Sequence, residues 1–298
     1  MGLSHYYAGL LIRRTLPTRL FVRLMRIRRV YESRRRERAQ TSTIACHGRF
    51  GVDQLRKALI SSAGIRKAGV LLVQSSFGRF YNFDGTAEDM LSILEELVGP
   101  EGTLMMPAFP PYRREGPFIF DVRKAPAQTG LLCELFRRRS GVMRSLHPTH
   151  SVCARGPLAE TLLAEHHQDP LSCGPLSPYA KLAQYNGQIL GLGLPPGYTT
   201  FLHVVEDCDL ERYPRRTYLE KPVEFTVIDE TGRQFILSLC RRDPRVGATL
   251  NLTRVVRHLS KQSLRSFSIH GVPAFLAHAT PLLRELDFLR DQGIILYA

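Results

Sequence analysis

The chain has 298 residues, of which 44% are hydrophobic and 23% charged, a composition ordinary for a globular protein with a sizeable core. No segment approaches the roughly 18 uninterrupted apolar residues of a membrane-spanning helix, and the six cysteines show no CxxC spacing that would indicate a zinc site. The formal net charge of +14 favours anionic partners, so its distribution along the chain matters.

Residues 1–50 predict a basic arm that precedes the body of the protein. Between Arg13 and Arg38 stand eleven arginines against two glutamates, a net charge of +9. Apolar residues recur at helical spacing and form one stripe, namely Leu16, Leu20, Leu24, Ile27 and Tyr31. An amphipathic helix with a cationic face is typical of an anionic membrane interface. Residues 11–38 therefore predict peripheral attachment to the cytoplasmic face of a membrane.

Other uses of the arm stay open. Its apolar stripe is also suited to packing on the body, or on a second copy in a homodimer, with the arginines in solvent. An arginine-rich, acid-poor start also fits an organelle transit peptide, whereas a cleavable secretory signal is disfavoured because arginines interrupt every apolar run. Nucleic acid is not an expected partner, since no zinc-finger or zipper pattern accompanies the charge. The predicted location is the cytoplasm.

Residues 51–298 predict a single domain. Predicted helices and strands alternate along it, with helices at residues 55–63 and 87–98 and strands at residues 69–73, 103–107 and 187–192. This alternation predicts an α/β fold, a three-layer α/β/α sandwich with a largely parallel central sheet. Residues 221–228 and 234–239, which a polar turn separates, add a C-terminal β-hairpin. The proline-rich residues 107–126 predict a long loop over the active face.

Residues 144–151 read Arg-Ser-Leu-His-Pro-Thr-His-Ser, and this octet groups two imidazoles, a guanidinium and three hydroxyls. It lies on a connection between two predicted helices, where catalytic groups concentrate in α/β folds. Pro148 restrains the backbone around His147. The octet therefore predicts a functional site, although a turn that satisfies its own polar groups would use the same residues.

Three groups of motifs resemble, in order and in spacing, the aminoglycoside 3-N-acetyltransferase family. They are GVLLVQSS (69–76) with GPEGTLMMP (99–107), then GVMRSLHPTHS (141–151), and finally GPLSPYAKL (174–182), NGQILGLG (186–193) and TTFLHVVE (199–206). The match covers roughly residues 55 to 235. It implies an α/β/α sandwich and an enzyme that transfers the acetyl group of acetyl-CoA to an amine, with no metal.

The resemblance also implies roles for individual residues. His167 stands ten residues before Ser177, as in the family pattern, and is the implied general base; the adjacent His166 leaves the assignment open by one position. Glu206 matches the family's acidic position and would orient the imidazole or bind the substrate amine. His203 lies three residues before Glu206, on the same helical face.

The motif residues that line the CoA cleft in the family correspond here to Ser75, Ser76, Arg144, Ser145, His147 and Ser151. A guanidinium is suited to the phosphates of CoA, and hydroxyls are suited to its pantetheine amides and to a developing oxyanion. The resemblance thus implies that the octet forms part of a CoA cradle.

The acceptor is where this chain departs from the family. Aminoglycoside-modifying members commonly carry His-Pro-Leu-Asp followed by alternating glycines, whereas residues 167–174 read His-Gln-Asp-Pro-Leu-Ser-Cys-Gly. The proline-rich loop is also basic, with Arg113, Arg114, Arg123 and Lys124 against Glu115 and Asp121. A basic surface favours a nucleotide- or lipid-linked amino sugar over a polycationic antibiotic.

The predicted function is N-acetylation of an amino sugar in surface-polysaccharide or glycan-precursor biosynthesis, by direct attack in a ternary complex with histidine as general base. One alternative is a true aminoglycoside 3-N-acetyltransferase that confers antibiotic resistance. A second is a non-catalytic, membrane-attached scaffold of a glycan-assembly complex. A variant of the enzyme mechanism would use Cys153 or Cys173 as an acyl-carrying nucleophile.

Overall fold

The computed structural model describes residues 18–111 and 116–298 of the chain. Its helices are α1 (Thr18–His47), α2 (Val52–Ala58), α3 (Ala87–Val98), α4 (Leu131–Arg137), α5 (Ala159–Leu163), α6 (Pro178–Gln184), α7 (Val204–Asp207), α8 (Pro244–Gly247), α9 (Leu252–Val256) and α10 (Ala279–Asp291). A π-helical turn covers Leu59–Ala63, and 3₁₀ turns cover Phe77–Arg79, His166–Gln168 and Thr200–His203.

The strands form two sheets. They are β1 (Val70–Ser75), β2 (Thr103–Pro107), β3 (Ile119–Asp121), β4 (Met143–Arg144), β5 (Val152–Arg155), β6 (Gln188–Leu192), β7 (Val223–Ile228), β8 (Gln234–Leu239), β9 (Leu264–Ile269) and β10 (Val272–His278). The larger sheet has the order β4-β5-β2-β1-β6-β10-β9, and the smaller has the order β3-β7-β8.

Only the centre of the large sheet is parallel. β1 pairs in parallel with β2 and β6, and its residue Leu72 lies opposite Met105 and Ile189. The outer pairs β4/β5, β5/β2, β6/β10 and β10/β9 are antiparallel. The predicted parallel sheet is thus correct for three strands, and antiparallel strands extend it on both sides.

Helices cover both faces of this sheet, because the side chains of β1 alternate between two hydrophobic clusters. Leu71 and Val73 pack with α2, α3 and α4 on one face. Val70 and Leu72 pack with α5, α6 and α10 on the other. Burial of each such leucine contributes about 1.5–3 kcal/mol. The predicted α/β/α sandwich is confirmed.

Local sequence explains why α3 begins and ends where it was predicted. Thr86 accepts a hydrogen bond from the backbone N–H of Asp89, whose carboxylate accepts from the N–H of Thr86 in a capping box. Met90, Leu94 and other apolar residues at helical spacing then lie on the buried face. The helix ends at Gly99, whose φ of +75° favours glycine.

The small sheet lies over the octet. Its core contains Phe120, Val227 and Leu239, and Leu146 of the octet packs against them. β7 and β8 are the predicted hairpin, but that hairpin is not the last element, because β9, β10 and α10 follow it. The predicted loop at residues 107–126 contributes β3, which pairs with β7.

The arm contains a long helix, α1. Leu20, Ile27 and Tyr31 of the predicted stripe are 44%, 59% and 66% exposed, so the body does not cover this part of the stripe. Leu16 and the rest of residues 11–17 lie outside the described residues. Among the helices at residues 18–111 and 116–298, none is long and apolar enough to cross a bilayer. The division of the chain at residue 50 stays a prediction.

Candidate active site

One edge of the large sheet gathers the predicted cofactor residues. Ser75 ends β1, and the adjacent strands β2 and β6 end at the same edge because all three are parallel. β5 is antiparallel to β2, so Ser151 and Val152 at its start also lie there, paired through Val152 with Ser145. Residues far apart in sequence therefore meet at one carboxyl edge.

Arg144 is part of the internal structure of this edge. Its side chain is buried, with the guanidinium over the Phe120 ring at 5.0 Å from the centroid. Nη2 donates to the carbonyl of Ala108 at 2.5 Å and Nη1 to that of Ala125 at 2.5 Å, while Nε donates to Ser151 Oγ at 3.1 Å. With a further bond from Nη1 to the carbonyl of Val122, these contacts use four of the five N–H groups of Arg144 and tie the proline-rich loop to the sheet edge. The predicted role of Arg144 at the CoA phosphates stays a prediction.

Ser145 and His166 are also paired within the protein. His166 Nε2 lies 3.2 Å from the carbonyl oxygen of Ser172, which can only accept, so this nitrogen carries a proton. Its Nδ1 then accepts from Ser145 Oγ at 2.9 Å, and Ser145 Oγ accepts from the N–H of Val152. Both nitrogens of His166 are occupied, which excludes this residue as a free base.

His147 stacks on His166, with ring centroids 4.5 Å apart, and presents one unpaired atom. Its Nδ1 accepts backbone N–H groups of Thr149 and His150 at 3.4 and 3.2 Å, so the proton lies on Nε2. That Nε2 is buried and has no hydrogen-bond partner in the described part of the chain. Burial lowers the pKa of His147 to about 3, so the ring is neutral at physiological pH.

The sheet edge fits a CoA thioester at some of the predicted positions. The hydroxyl of Ser75 is buried without a partner among residues 18–111 and 116–298, like His147 Nε2, and Ser76 next to it makes no side-chain cap hydrogen bond. The backbone of Gly193, just after β6, packs closely against that of Ser76, since a Cβ at Gly193 would lie 2.6 Å from the carbonyl oxygen of Ser76. Unpaired hydrogen-bond donors at this edge are suited to a ligand that carries amide and carbonyl groups, as a CoA thioester does.

The turn at Thr200–Asp207 is fixed to the same edge. Gln74 of β1 accepts from the N–H of Thr200 at 3.0 Å and donates to its hydroxyl at 3.2 Å. The 3₁₀ turn then runs directly into α7, which places His203 one turn before Glu206. His203 and Glu206 lie on the same helical face, as predicted.

His203 and Glu206 form a close pair. Nδ1 of His203 lies 2.5 Å from Oε1 of Glu206, and the histidine side chain is 12% exposed while that of Glu206 is fully buried. Tyr297 also donates to Oε1, at 3.1 Å. A carboxylate that accepts from Nδ1–H leaves Nε2 of the imidazole with a free lone pair, the arrangement of a general base with its orienting acid.

Sequence reasoning missed one residue of this cluster, Arg242, which follows β8. Its guanidinium donates from Nη1 to Glu206 and from Nη2 to both carboxylate oxygens of Asp207, at 2.9 Å each. Burial would raise the pKa of Glu206, but Arg242, His203 and Tyr297 together hold it below its ordinary value. Glu206 is therefore ionised at neutral pH.

His167 lies apart from these carboxylates. Its ring is half-buried and stands edge-on to Phe235, with centroids 6.1 Å apart. Its Nδ1 is buried without a partner, and no ion pair of His167 occurs within the described ranges. The spacing to Ser177 has a local structural reason too, because Ser177 caps α6 by accepting from the N–H of Ala180. His203, not His167, has an orienting acid.

The two cysteines considered as nucleophiles are buried in the hydrophobic clusters. Burial raises the pKa of Cys153 to about 12 and raises that of Cys173 well above its ordinary value. A thiol of this kind is not a nucleophile at neutral pH. No group of three or more metal-ligating side chains occurs in the part of the chain that the structure describes.

Known proteins share this sequence pattern and fold. Residues 72–288 match the family model for aminoglycoside 3-N-acetyltransferase. The chain is 30% identical over 210 residues to aminoglycoside N(3)-acetyltransferase IX of Micromonospora chalcea, an alignment that covers 61% of this chain and 74% of that protein. It is 34% identical over 146 residues to aminoglycoside N(3)-acetyltransferase IV of Salmonella sp, covering 48% of this chain and about half, 54%, of the relative.

Solved structures share the fold over most of this chain. The structure of aminoglycoside acetyltransferase AAC(3)-Xa superposes with a TM-score of 0.69 at 23% identity, covering 87% of this chain and 99% of that one. The complex of AAC-IIIb with CoASH gives a TM-score of 0.68 at 23% identity, covering 84% and 99%. Likenesses at these identities establish the α/β/α architecture.

The fold and the family match define an enzyme of the acyltransferase class. The extent of the family match makes the assignment specific: the chain belongs to the aminoglycoside 3-N-acetyltransferase family. Acetyl-CoA is the acyl donor of this family, so the predicted family, enzyme class and donor are confirmed.

Proposed function

We propose that the protein acetylates an amine of an aminoglycoside, with His203 as general base and Glu206 as the acid that orients it. The observation that carries this proposal is the 2.5 Å contact between His203 Nδ1 and the buried Glu206 carboxylate. The names of the relatives favour an aminoglycoside acceptor over the glycan precursor that sequence analysis put first.

The proton chemistry follows from this pair. An ammonium cannot attack a thioester, so the amine first loses one proton to solvent, and a base must remove a second proton as the nitrogen bonds to the acyl carbon. Nε2 of His203 accepts that proton while Nδ1 keeps its hydrogen bond to Glu206. The ionised carboxylate stabilises the imidazolium that results. The new bond joins the amine nitrogen to the acyl carbon, the carbon–sulfur bond breaks, and the thiolate can take its proton from Nε2.

The sheet edge supplies the groups that hold the donor. Acetyl-CoA brings an activated acyl carbon when it is bound. The unpaired Ser75 hydroxyl and Nε2–H of His147 are the side-chain donors suited to its amides or to the charge that develops on the acyl oxygen. Ser76 adds a half-buried hydroxyl beside them. Arg144, Ser145 and Ser151 act by holding this edge in shape.

The test is turnover with acetyl-CoA and a panel of aminoglycosides, followed by free-thiol release and by the mass of the product. We expect one added acetyl group per acceptor and retention of CoA binding in the slow Glu206→Gln variant. Absence of turnover with every amine tested, together with absence of CoA binding, would count against the enzyme and support a non-catalytic scaffold.

The second candidate acceptor is an anionic, nucleotide- or lipid-linked amino sugar of surface-glycan synthesis. The net charge of +14 supports it through electrostatic steering. Most of that net charge, +9, lies between Arg13 and Arg38, and in the loop Asp121 pairs with Arg123 at 3.2 Å and with Lys124 at 3.6 Å. Competition between an aminoglycoside and an amino-sugar nucleotide for acetyl transfer would rank the two acceptors.

The arm, residues 1–50, supports a further part of this proposal, peripheral attachment to an anionic membrane. The exposed Leu20, Ile27 and Tyr31 of α1 and its arginines have the chemistry of an interfacial helix. Flotation with anionic vesicles should recover the full chain and lose a variant that lacks residues 1–40. Equal recovery of both would refute attachment, and a change in molecular mass alone would instead indicate a homodimer through the stripe.

A further inference from the structure

Arg242 contacts two consecutive acids at once. It lies just after β8, where a single antiparallel bridge joins its segment to Tyr218. From there its guanidinium reaches across to α7 and donates to both Glu206 and Asp207. The Arg242 side chain is 17% exposed, and both acid side chains are fully buried. One cation therefore neutralises part of a buried pair of carboxylates.

Besides Arg242 and His203, the groups that hydrogen-bond the two acids within the described residues are neutral. Tyr218 donates to Asp207 Oδ2 at 2.7 Å, and Tyr297 donates to Glu206 Oε1 at 3.1 Å. The N–H of Cys173 donates to Asp207 at 2.8 Å. The remaining titratable neighbours that act on these groups are His150, His203, Tyr213, Cys173, Cys208 and Cys240. Burial keeps the pKa of His150 well below its ordinary value and raises the pKa of Tyr213 and of the three cysteines, so these five groups are neutral.

Two adjacent buried carboxylates cannot both stay ionised without a cation. A protonated Glu206 could donate to Nδ1 of His203, and the imidazole would then carry its proton on Nε2, facing the wrong way for a base. An ionised Glu206 can only accept, which fixes the proton on Nδ1. The tautomer of His203 therefore depends on the charge state of Glu206.

We propose that Arg242 is a positioning residue that keeps Glu206 an acceptor-only carboxylate, so that His203 holds its proton on Nδ1 and presents a free Nε2 to the substrate amine. This inference rests on the proposed role of His203 and extends it to a residue that contacts the two acids rather than the imidazole. Asp207 balances the second half of the guanidinium and sets its orientation through the two 2.9 Å contacts.

A purely structural role for Arg242 makes a different prediction. If the arginine serves only to pair with Asp207, then removing both charges should restore the active arrangement. The variant Asp207→Asn/Arg242→Gln separates the two roles, because it leaves Glu206 buried without its cation while it removes the unpaired Asp207. It also protects the test against misfolding of the single variant, in which two buried acids lose their partner.

The experiment compares Arg242→Gln, Arg242→Lys and the double variant with the unchanged protein. The direct readout is the ¹⁵N shifts of the His203 imidazole, assigned by their loss in His203→Gln, which needs no substrate. The second readout is kcat and KM for acetyl-CoA across pH. Arg245→Gln is the matched control, since Arg245 is three residues away, 87% exposed and paired with Asp243.

We expect an unprotonated Nε2 in the unchanged protein and in Arg245→Gln at pH 7, and a protonated Nε2 in Arg242→Gln and in the double variant. In those two variants kcat should fall at least about tenfold at unchanged KM, with the acid limb of the pH profile moved to higher pH. Arg242→Lys should recover part of the rate. An unprotonated Nε2 in the double variant, or a normal pH profile there, overturns the inference. Failure of the proposed function would appear instead as no turnover in the unchanged protein.

Discussion

The octet at residues 144–151 and the turn at Thr200–Asp207 lie at one sheet edge but use their polar groups differently. In the octet, Arg144 donates to a backbone carbonyl and Ser145 donates to His166, so both side chains bond within the protein. In the turn, His203 is oriented through one nitrogen by a buried acid and keeps the other available. A dense run of polar residues can thus mark a structural network, whereas an oriented base needs a charged partner and a free atom.

Glu206→Gln is the change with the largest expected effect on the turn. Glutamine can donate to Nδ1 of His203 and cannot stabilise an imidazolium, so kcat should fall by about 10²- to 10⁴-fold. Arg242 keeps Asp207 as a partner, so the fold and CoA binding should persist. Steady-state thiol release together with calorimetric CoA binding checks both points. A rate within a fewfold of the unchanged protein would show that Glu206 does not orient the catalytic base.

Arg144→Met is the matching change in the octet, and it should act on stability. It removes the Arg144 donors to the carbonyls of Ala125 and Val122 and leaves Ala108 with Ser151 Oγ as its donor, which we expect to lower the free energy of unfolding by about 3 kcal/mol. Urea denaturation at pH 7 measures this. Near-normal stability with a large rise in KM for acetyl-CoA would instead restore the phosphate-binding role that sequence analysis implied.

The octet should also make the fold acid-sensitive through His147. Its pKa is lowered to about 3 in the folded protein by burial, against about 6.5 in an unfolded chain. The unfolded state therefore binds more protons below pH 6.5, and stability should be lost as pH falls from 6.5 towards 3. Urea midpoints across this range should fall less steeply in His147→Gln. Parallel curves would show that the ring does not stay neutral.

A smaller effect is expected at Glu134 of α4, which supports the loop that Arg144 binds. Its carboxylate accepts from Arg137 at 2.7 Å and from the N–H of Ala127 at 2.8 Å, and chiefly the Arg137 contact lowers the pKa of Glu134 to about 2. This stabilisation is present above about pH 4.5 and is lost as pH falls towards 2. Glu134→Gln should cost about 1 kcal/mol at pH 7. The difference from the unchanged protein should vanish near pH 2, as urea midpoints would show.

The sequence predicts those elements of the fold that carry a strong local signal. The helix Ala87–Val98 and the strand Thr103–Pro107 match the predicted bounds, because the helix has both a cap and an apolar face and the strand is buried on both sides. β4 and β3 have two and three residues, too few for periodicity to reveal. Their positions are set by pairing with β5 and β7, which is long-range information.

The candidate site is predictable to a similar extent. His203 and Glu206 could be paired from their spacing alone, and the motifs identified the sheet edge. The spacing to Ser177 points to His167 as the base, but Ser177 caps a helix, so the same spacing is expected whether or not His167 is catalytic. Arg242 lies 36 residues after Glu206 in an irregular segment, so only the folded chain brings it to the acids.

In the proposed mechanism His203, rather than His167, takes the proton from the amine. Thiol release from acetyl-CoA with an aminoglycoside acceptor at pH 7, measured for His203→Gln and His167→Gln side by side, tests it most directly. We predict a loss of about 10²- to 10⁴-fold in kcat for His203→Gln and a change within about threefold for His167→Gln, with CoA bound by both. The reverse order of the two rates would assign the proton transfer to His167.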